Sequence, residues 1–187
     1  MGLDMYLTGE KVLSANSRKE RKIISYLNSL VAEQPDLLTS RGLFLSEYDN
    51  ATSTIRATLN QFKLIGQVGD IDAVKINDDG NWVVYTESMY WRKANHIHNW
   101  FVHHIQQGID DCGRYGVTFE NLSELQALLK IAKKCPSVLP PASGFFFGST
   151  TVDEMYFFSI TRTLATLRKI LKTTTQQNWN FNYYASW

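Results

Sequence analysis

The residues best suited to chemistry lie in the stretch 90–107, where the spacing of apolar side chains predicts one amphipathic helix. At about 100° per residue, the core-facing side of this helix carries an amide and an imidazole, those of Asn95 and His98. Such groups are costly to bury unless a partner satisfies them. We therefore expect the functional site at this helix.

Aromatic and charged side chains flank this pair. The predicted face also carries Trp91, and its adjoining edge carries Arg92 and Asn99. A guanidinium, an amide and an imidazole beside aromatic rings suit a small molecule that carries a phosphate or carboxylate and a planar group. The sequence leaves open the alternative that Asn95 and His98 bond neighbouring backbone carbonyls and fix only the packing.

A second distinctive segment, residues 144–150, reads Gly-Phe-Phe-Phe-Gly-Ser-Thr and precedes a predicted helix. Glycines before a helix let backbone amides approach a phosphate. The spacing is not that of a P-loop, however, and Asp153 and Glu154 already occupy the first turn, which favours capping. The ligand-binding set that the sequence predicts is Trp91, Arg92, Asn95, His98, Asn99, Phe147 and Ser149.

The other candidate groups indicate neither a metal site nor catalysis. The pair Asp110-Asp111 could bind a cation or act as acid and base, and we favour a solvated turn. Cys112 and Cys135 lie outside any paired motif, and we interpret them as packing residues. We expect no metal and no cofactor, because metal ligands on one helix face lie three or four residues apart and no two of the histidines do: His96, His98, His103 and His104.

Helices are predicted where a capping signal precedes apolar residues at helical spacing. Ser17 with Glu20 three residues later is typical of a capping box. A second helix follows Asn50, and Asn121 is predicted to cap a third. The last long helix follows the segment 144–150.

Strands are predicted at both ends of the chain and in a central hairpin. Residues 3–7 form the first strand, and residues 74–85 form a hairpin whose tip, 78–81, reads Asp-Asp-Gly-Asn. Residues 145–147 are a short buried strand or loop. Residues 179–184 form a terminal strand that we expect to pair with the first. These elements predict an α+β fold in which a small mixed sheet, made of the N-terminal strand, the hairpin and the C-terminal strand, is packed by three to four helices.

Composition excludes several classes of function. The 187 residues, 44% of them hydrophobic, suffice for a single domain over 1–187. The 19 Lys and Arg against 18 Asp and Glu give a net charge of +1, so we do not expect nucleic acid as the main partner. No apolar run reaches the length of a membrane span and no signal peptide opens the chain, so we expect a cytoplasmic protein without a membrane partner. The aromatic content of 13% suits a core, a ligand pocket or the interface of a homo-oligomer.

Several blocks of sequence, taken in order, resemble a family of small uncharacterised bacteriophage and bacterial proteins. The resemblance covers about the first ten residues and everything from Tyr85 onward, roughly 60% of the chain. It carries over no catalytic residue, and it implies a phage setting, in the cytoplasm of an infected bacterial cell. The blocks are Gly-Leu-Asp-Met-Tyr-Leu at 2–7, Tyr-Trp-Arg-Lys-Ala-Asn at 90–95, Asp-Asp-Cys at 110–112, the segment 144–150 with Asp153-Glu154, and Tyr-Tyr-Ala-Ser-Trp at 183–187.

Residues 17–74 lie outside this resemblance. They carry two predicted helices of their own, and we interpret them as an insertion within the single domain. Together with the hairpin they have the element order of a small winged-helix unit. Their charge is only weakly positive, so DNA binding is a minor interpretation.

Three functions follow as hypotheses. The first is binding without catalysis, in which a phage protein sequesters a nucleotide-derived immune signal of its host. The second is a small hydrolase or lyase acting on a nucleotide-like metabolite, with His98 as acid and base and Asp110 or Asp111 assisting. The third is regulation, in which residues 17–74 bind a host protein or DNA. We favour the first and expect no catalytic residue, because no nucleophile motif accompanies His98.

Overall fold

The computed structural model describes residues 2–46, 48–62, 69–173 and 179–187. This part of the chain contains five α-helices and six β-strands, which confirms the α+β fold class. The strands are β1 Asp4–Val12, β2 Leu43–Phe44, β3 Ala73–Ile76, β4 Trp82–Arg92, β5 Tyr115–Val117 and β6 Asn180–Ser186. The helices are α1 Arg18–Glu33, α2 Asn50–Gln61, α3 Asn95–His104, α4 Phe119–Ala132 and α5 Glu154–Thr173.

The six strands form one sheet in the order β2-β3-β4-β1-β6-β5. The predicted hairpin is confirmed, since β3 and β4 are antiparallel with Val74 opposite Val84. β6 lies beside β1, as predicted for the terminal strand. β5 pairs antiparallel with β6, with Tyr115 opposite Tyr183. The first and last strands are therefore hydrogen-bonded neighbours inside the sheet.

The chain divides into two compact units. One comprises Met1–Thr8 and Ser88–Trp187, and the other comprises Gly9–Glu87. Both boundaries fall within strands, one in β1 and one in β4. That residues 17–74 are an insertion within a single domain stays a prediction.

In the unit Gly9–Glu87, α1 begins as predicted at Ser17, whose hydroxyl accepts a hydrogen bond from the backbone N of Glu20. The Glu20 carboxylate accepts a hydrogen bond from the backbone N of Ser14 at 2.7 Å and forms an ion pair with Lys11 Nζ at 3.2 Å. Both charged side chains are buried. A buried ion pair therefore ties β1 to the first turn of α1.

In the other unit, alternation along β1 buries every second side chain against the helices. α4 and α5 pack against each other, and α4 buries Leu122, Leu125 and Leu129. Phe101 of α3 stacks on Tyr183 of β6 with ring centroids 3.8 Å apart. The core of this unit includes Leu3, Met5, Leu7, Ile97, Leu122, Leu125, Leu129, Ile160 and Leu167.

The predicted helix over 90–107 is wrong at both ends. Its first residues continue β4 as far as Arg92, and α3 spans only Asn95–His104. Burial alternates here with the period of a strand, because Trp91 is buried and Arg92 is exposed. The backbone N of Lys93 donates to the carbonyl of Leu3, the residue before β1, at 2.8 Å. Long-range pairing thus overrides a helical spacing of apolar residues.

Two local predictions also need correction. Thr118, and not Asn121, is the N-cap of α4, and the two residues exchange the side-chain bonds of a capping box. Phe145, predicted to be buried, is 95% exposed. The first turn of α5 is capped as predicted, since Asp153 accepts from the backbone N of Tyr156 at 3.1 Å. No described helix is long and apolar enough to cross a membrane.

Candidate functional site

A cavity of about 390 Å³ lies within the unit that contains residues 88–187. Its walls come from the end of β4, the start of α3, the loop before α5 and the first half of α5. Four residues of the predicted ligand-binding set line it, namely Trp91, Arg92, Asn95 and Ser149. The remaining three do not line it: His98, Asn99 and Phe147.

Trp91 is fixed against α5. Its ring is 2% exposed, and its Nε1 donates to Thr163 Oγ1 at 2.7 Å. The Thr163 hydroxyl donates in turn to the carbonyl of Ser159 at 2.7 Å. The indole therefore supplies an immobile apolar wall, with its polar atom already satisfied.

Asn95, the first residue of α3, holds the loop that precedes α5 in place through side-chain hydrogen bonds. Its Nδ2 donates to the carbonyl oxygens of Phe147 and Ser149 at 3.0 and 2.9 Å. Its Oδ1 accepts from the backbone N of Ala142 at 3.3 Å. The amide is 1% exposed and uses both donors and its acceptor within the protein. Its role is to hold the cavity wall in place.

The glycines of the segment 144–150 are required by close packing. A Cβ on Gly144 would come within 2.5 Å of the Phe147 ring. Gly148 has a φ of +87° and lies against the Lys93 side chain, where a Cβ would be 3.1 Å away. Lys93 itself has a φ of +55°, where the chain turns from β4 into α3. These contacts set the path of the loop, so the segment shapes the wall that Ser149 joins.

Three cationic side chains contribute to the wall of the cavity. Arg92, Lys93 and Arg162 all line it. Arg92 is 3.8 Å from Asp4, and its side chain is 61% exposed, so this ion pair is loose. Among the described residues neither Lys93 nor Arg162 has an ion-pair partner.

The N-terminus of α3 adds to this positive potential. Its first residues, Ala94, Asn95 and His96, line the cavity, and no described side chain caps it. Uncapped backbone N–H groups at a helix start favour an anion. Asp153 is an acidic group that also lines the cavity, and one of its oxygens is already occupied as the cap of α5.

His96 and Ser159 form a hydrogen-bonded pair on the cavity wall. His96 Nε2 lies 2.8 Å from Ser159 Oγ, and the imidazole packs on the Tyr156 ring with centroids 4.3 Å apart. Burial lowers the pKa of His96 to about 4, and the negative charge of Asp153 opposes that shift only in part. At neutral pH the imidazole is therefore uncharged.

His98 belongs to a different cluster. Its Nδ1 contacts the hydroxyl of Tyr183 at 2.6 Å, and its Nε2 contacts Asp110 Oδ2 at 2.9 Å. The Phe147 ring meets the imidazole edge-on at 5.0 Å, and Trp187 Nε1 donates to the other oxygen of Asp110 at 3.1 Å. His98 is 1% exposed, so both of its nitrogens are used in the interior.

The same cluster raises the pKa of Tyr183. Burial raises the pKa of Tyr183 well above its usual value, and the charges of Asp110 and then Cys112 raise it further. The phenol therefore stays protonated; its hydroxyl shares a hydrogen bond with His98 Nδ1, and the opposite ring nitrogen is hydrogen-bonded to Asp110. This arrangement ties α3, β6 and the loop at 110 together.

The remaining sequence candidates lie outside both groups. Asp111 accepts from the backbone N of Gly113 at 2.8 Å and from the Tyr115 hydroxyl, which fits the predicted turn. Cys112 and Cys135 are exposed, so their interpretation as packing residues is wrong. Asn99 is half-buried. Within the described ranges no three His, Cys, Asp or Glu side chains are grouped to hold a metal ion.

Sequence reasoning missed His96, Ser159 and Arg162 as cavity residues. The assumed helical phase of 90–107 placed His96 away from the core, whereas α3 is buried on nearly all sides. Ser159 and Arg162 follow Tyr156 at intervals of three on α5, which places them near one face of that helix. That spacing could have paired them, although nothing in it indicates which other element they face.

Comparisons with known proteins do not assign the chain to a family. No family model, no curated protein and no solved structure matches it. The likeness of its sequence blocks to phage and bacterial proteins therefore stays a prediction, and functional inference depends on the site itself.

Proposed function

We propose that the protein binds a small anionic ligand with a planar ring, of about the size of a mononucleotide. The observation that carries this proposal is the cavity of about 390 Å³ with three cationic side chains and a helix N-terminus in its wall. Small-molecule sites commonly occupy roughly 300–1,000 Å³, so this one is at the small end. That size favours a mononucleotide over a cyclic oligonucleotide.

The positive charges in the cavity wall support the proposal that the ligand has an anionic group, which would bind near Arg92. A phosphate there would meet the guanidinium groups of Arg92 and Arg162, the Lys93 ammonium and the backbone N–H groups of α3. Arg162 has no ion-pair partner within the described residues, so no existing bond must break before it binds. Asp153 also lines the cavity, and its negative charge disfavours a second anionic group beside it.

Aromatic and apolar side chains in the cavity wall support the proposal that the ligand has a planar ring. Trp91, Tyr156, Met155 and Phe158 line the same cavity, and the last two are exposed at its rim. A planar group could pack against such a surface while its charged group remains with the cations.

The biological role that we propose is sequestration of a nucleotide-derived signal in the contest between a phage and its host. The phage setting is supported only by the sequence blocks at 2–7, 90–95, 110–112, 144–150 and 183–187. Catalysis by His98 has less support, because that imidazole is outside the cavity and both its nitrogens are occupied.

Isothermal titration calorimetry with adenosine 5′-monophosphate, inorganic phosphate and cyclic dinucleotides tests the proposal. We expect the monophosphate to bind and Arg162→Ala to weaken it about tenfold or more, the effect of losing one charge-assisted bond. Arg168→Ala is the matched control, since Arg168 is exposed on the same helix and does not line the cavity. Absence of binding across the panel, or equal loss in both variants, refutes the proposal.

A second measurement separates binding from catalysis. The ligand is incubated with the protein, released by denaturation and analysed by chromatography. Recovery of intact ligand supports sequestration. New products would instead support a hydrolase or lyase.

A further inference from the structure

One polar atom in the cavity has no partner. His96 lines the cavity and is 4% exposed, and its Nε2 contacts Ser159. The other ring nitrogen, Nδ1, makes no hydrogen bond to any described residue. Nδ1 is not one of the fully buried side-chain atoms without a partner, so it is accessible to solvent or to a bound molecule.

The hydrogen-bonding pattern defines what Nδ1 can accept. The Ser159 hydroxyl donates to the carbonyl of Tyr156 at 2.7 Å. A hydroxyl has one hydrogen, so its 2.8 Å contact with His96 must be one in which Nε2–H donates. In the neutral ring Nδ1 then carries a lone pair and can only accept.

The surroundings keep the ring in this form. Burial favours the uncharged imidazole, and the Tyr156 ring packed against it limits its rotation. The negative charge of Asp153 opposes this effect only in part. A complementary ligand must therefore present a neutral donor at this position and a negative charge at the cations.

Building on the ligand class proposed above, we propose that the ligand is a nucleoside monophosphate whose base donates an N–H to Nδ1 of His96. His96 is then a residue that determines specificity, through an acceptor fixed by Ser159. A base that lacks the donor leaves Nδ1 without this partner in the complex, and a site built for a donor rejects such an analogue.

A pair of probes that differ by one donor group tests this. Adenosine 5′-monophosphate carries an exocyclic amino group, and purine riboside 5′-monophosphate has hydrogen in its place. We expect calorimetry on the unmodified protein to give an affinity about tenfold higher for the first probe, the effect of one additional hydrogen bond at the binding site.

Two substitutions at His96 separate ligand contact from packing. His96→Asn places an amide atom where Nδ1 was and loses the contact with Ser159. His96→Gln keeps an atom near Nε2 and loses the one at Nδ1. We expect His96→Asn to retain the preference for the amino-bearing probe and His96→Gln to bind the two probes equally.

Each outcome decides the matter. Equal affinity of the unmodified protein for both probes overturns this inference, as expected if water satisfies Nδ1, while the proposed function stands. Binding of neither probe overturns both proposals. The reverse behaviour of the two variants shows that the Ser159 contact matters instead. If either variant fails to fold by circular dichroism, the comparison on the unmodified protein still decides.

Discussion

The side chain of Asn95 donates a hydrogen bond to the carbonyl oxygen of Ser149 at 2.9 Å, and this bond joins the first residue of α3 to the loop before α5. Both residues line the cavity, yet the side-chain amide of Asn95 is fully engaged with the loop by this and two further hydrogen bonds. A buried asparagine thus fixes the geometry of the site, and the charged and aromatic residues beside it remain available for recognition.

Replacement of Asn95 should destabilise this unit. Asn95→Ala removes three hydrogen bonds and leaves the carbonyl groups of Phe147 and Ser149 without this donor. We expect a loss of about 2–4 kcal/mol in the free energy of unfolding, measured by urea denaturation. Asn99→Ala, at a half-buried position on the same helix, should change it by less than about 1 kcal/mol. Equal effects of the two substitutions would contradict the role of Asn95 in holding this loop.

The His98 cluster should matter for stability and not for ligand affinity. Tyr183→Phe keeps the ring stacked on Phe101 and removes the hydroxyl that pairs with His98 Nδ1. We expect a loss of about 1–3 kcal/mol in unfolding free energy, because a buried nitrogen becomes unsatisfied. Tyr48→Phe is the control, since Tyr48 is 90% exposed.

The same variant distinguishes the cavity from the His98 cluster. Adenosine 5′-monophosphate should bind Tyr183→Phe with a dissociation constant within about twofold of the unmodified value, because His98 and Tyr183 do not line the cavity. A large loss of affinity in a folded Tyr183→Phe protein would show that the His98 cluster belongs to the binding site.

Element starts could be predicted from the sequence because capping is local. Ser17 and Asp153 each meet a backbone N three residues later, and the pattern of residue types alone shows this. The hairpin tip at 78–81 could be predicted for the same reason. The extent of β4 could not be predicted, because its continuation past Tyr85 depends on pairing with β1, which is distant in sequence.

The site could be predicted only in part. Four predicted residues line the cavity because the segments 90–95 and 144–150 do meet in space. His98 was placed with them by an assumed helical phase, but its partners Tyr183 and Asp110 come from distant segments. Whether a buried polar side chain faces a pocket or a core partner depends on such contacts, which spacing along one helix does not encode.

The buried pair of Lys11 and Glu20 gives a prediction for the unit Gly9–Glu87. Lys11→Met removes the cation 3.2 Å from the Glu20 carboxylate and leaves that buried charge with the backbone N of Ser14. We expect a loss of about 3–5 kcal/mol in unfolding free energy, the usual cost of an uncompensated buried charge. Lys19→Met, at an exposed position of α1, should have little effect.

A double substitution tests the cause of that loss. Lys11→Met combined with Glu20→Gln removes both charges and should recover a substantial part of the stability. If the double variant is less stable than Lys11→Met alone, loss of packing and not the unpaired charge explains the effect.

His96 should make stability depend on pH in the acidic range. Its pKa is lowered from 6.5 to about 4 in the folded protein, because burial penalises the charged ring. Below pH 6.5 the unfolded chain binds a proton that the folded protein does not, so unfolding becomes easier as pH falls. The loss should begin near pH 6.5, be complete near pH 4 and reach roughly 3 kcal/mol, at about 1.4 kcal/mol per unit of pKa.

Urea denaturation at several pH values between 7 and 4 measures this dependence. Other groups also titrate there, so the test is the difference between variants. His96→Gln, which cannot take up the proton, should show a shallower fall in unfolding free energy than the unmodified protein. His103→Gln, at an exposed position of α3, should follow the unmodified curve. Parallel curves for all three proteins would mean that the folded protein binds this proton as readily as the unfolded chain does, and would contradict the lowered pKa of His96.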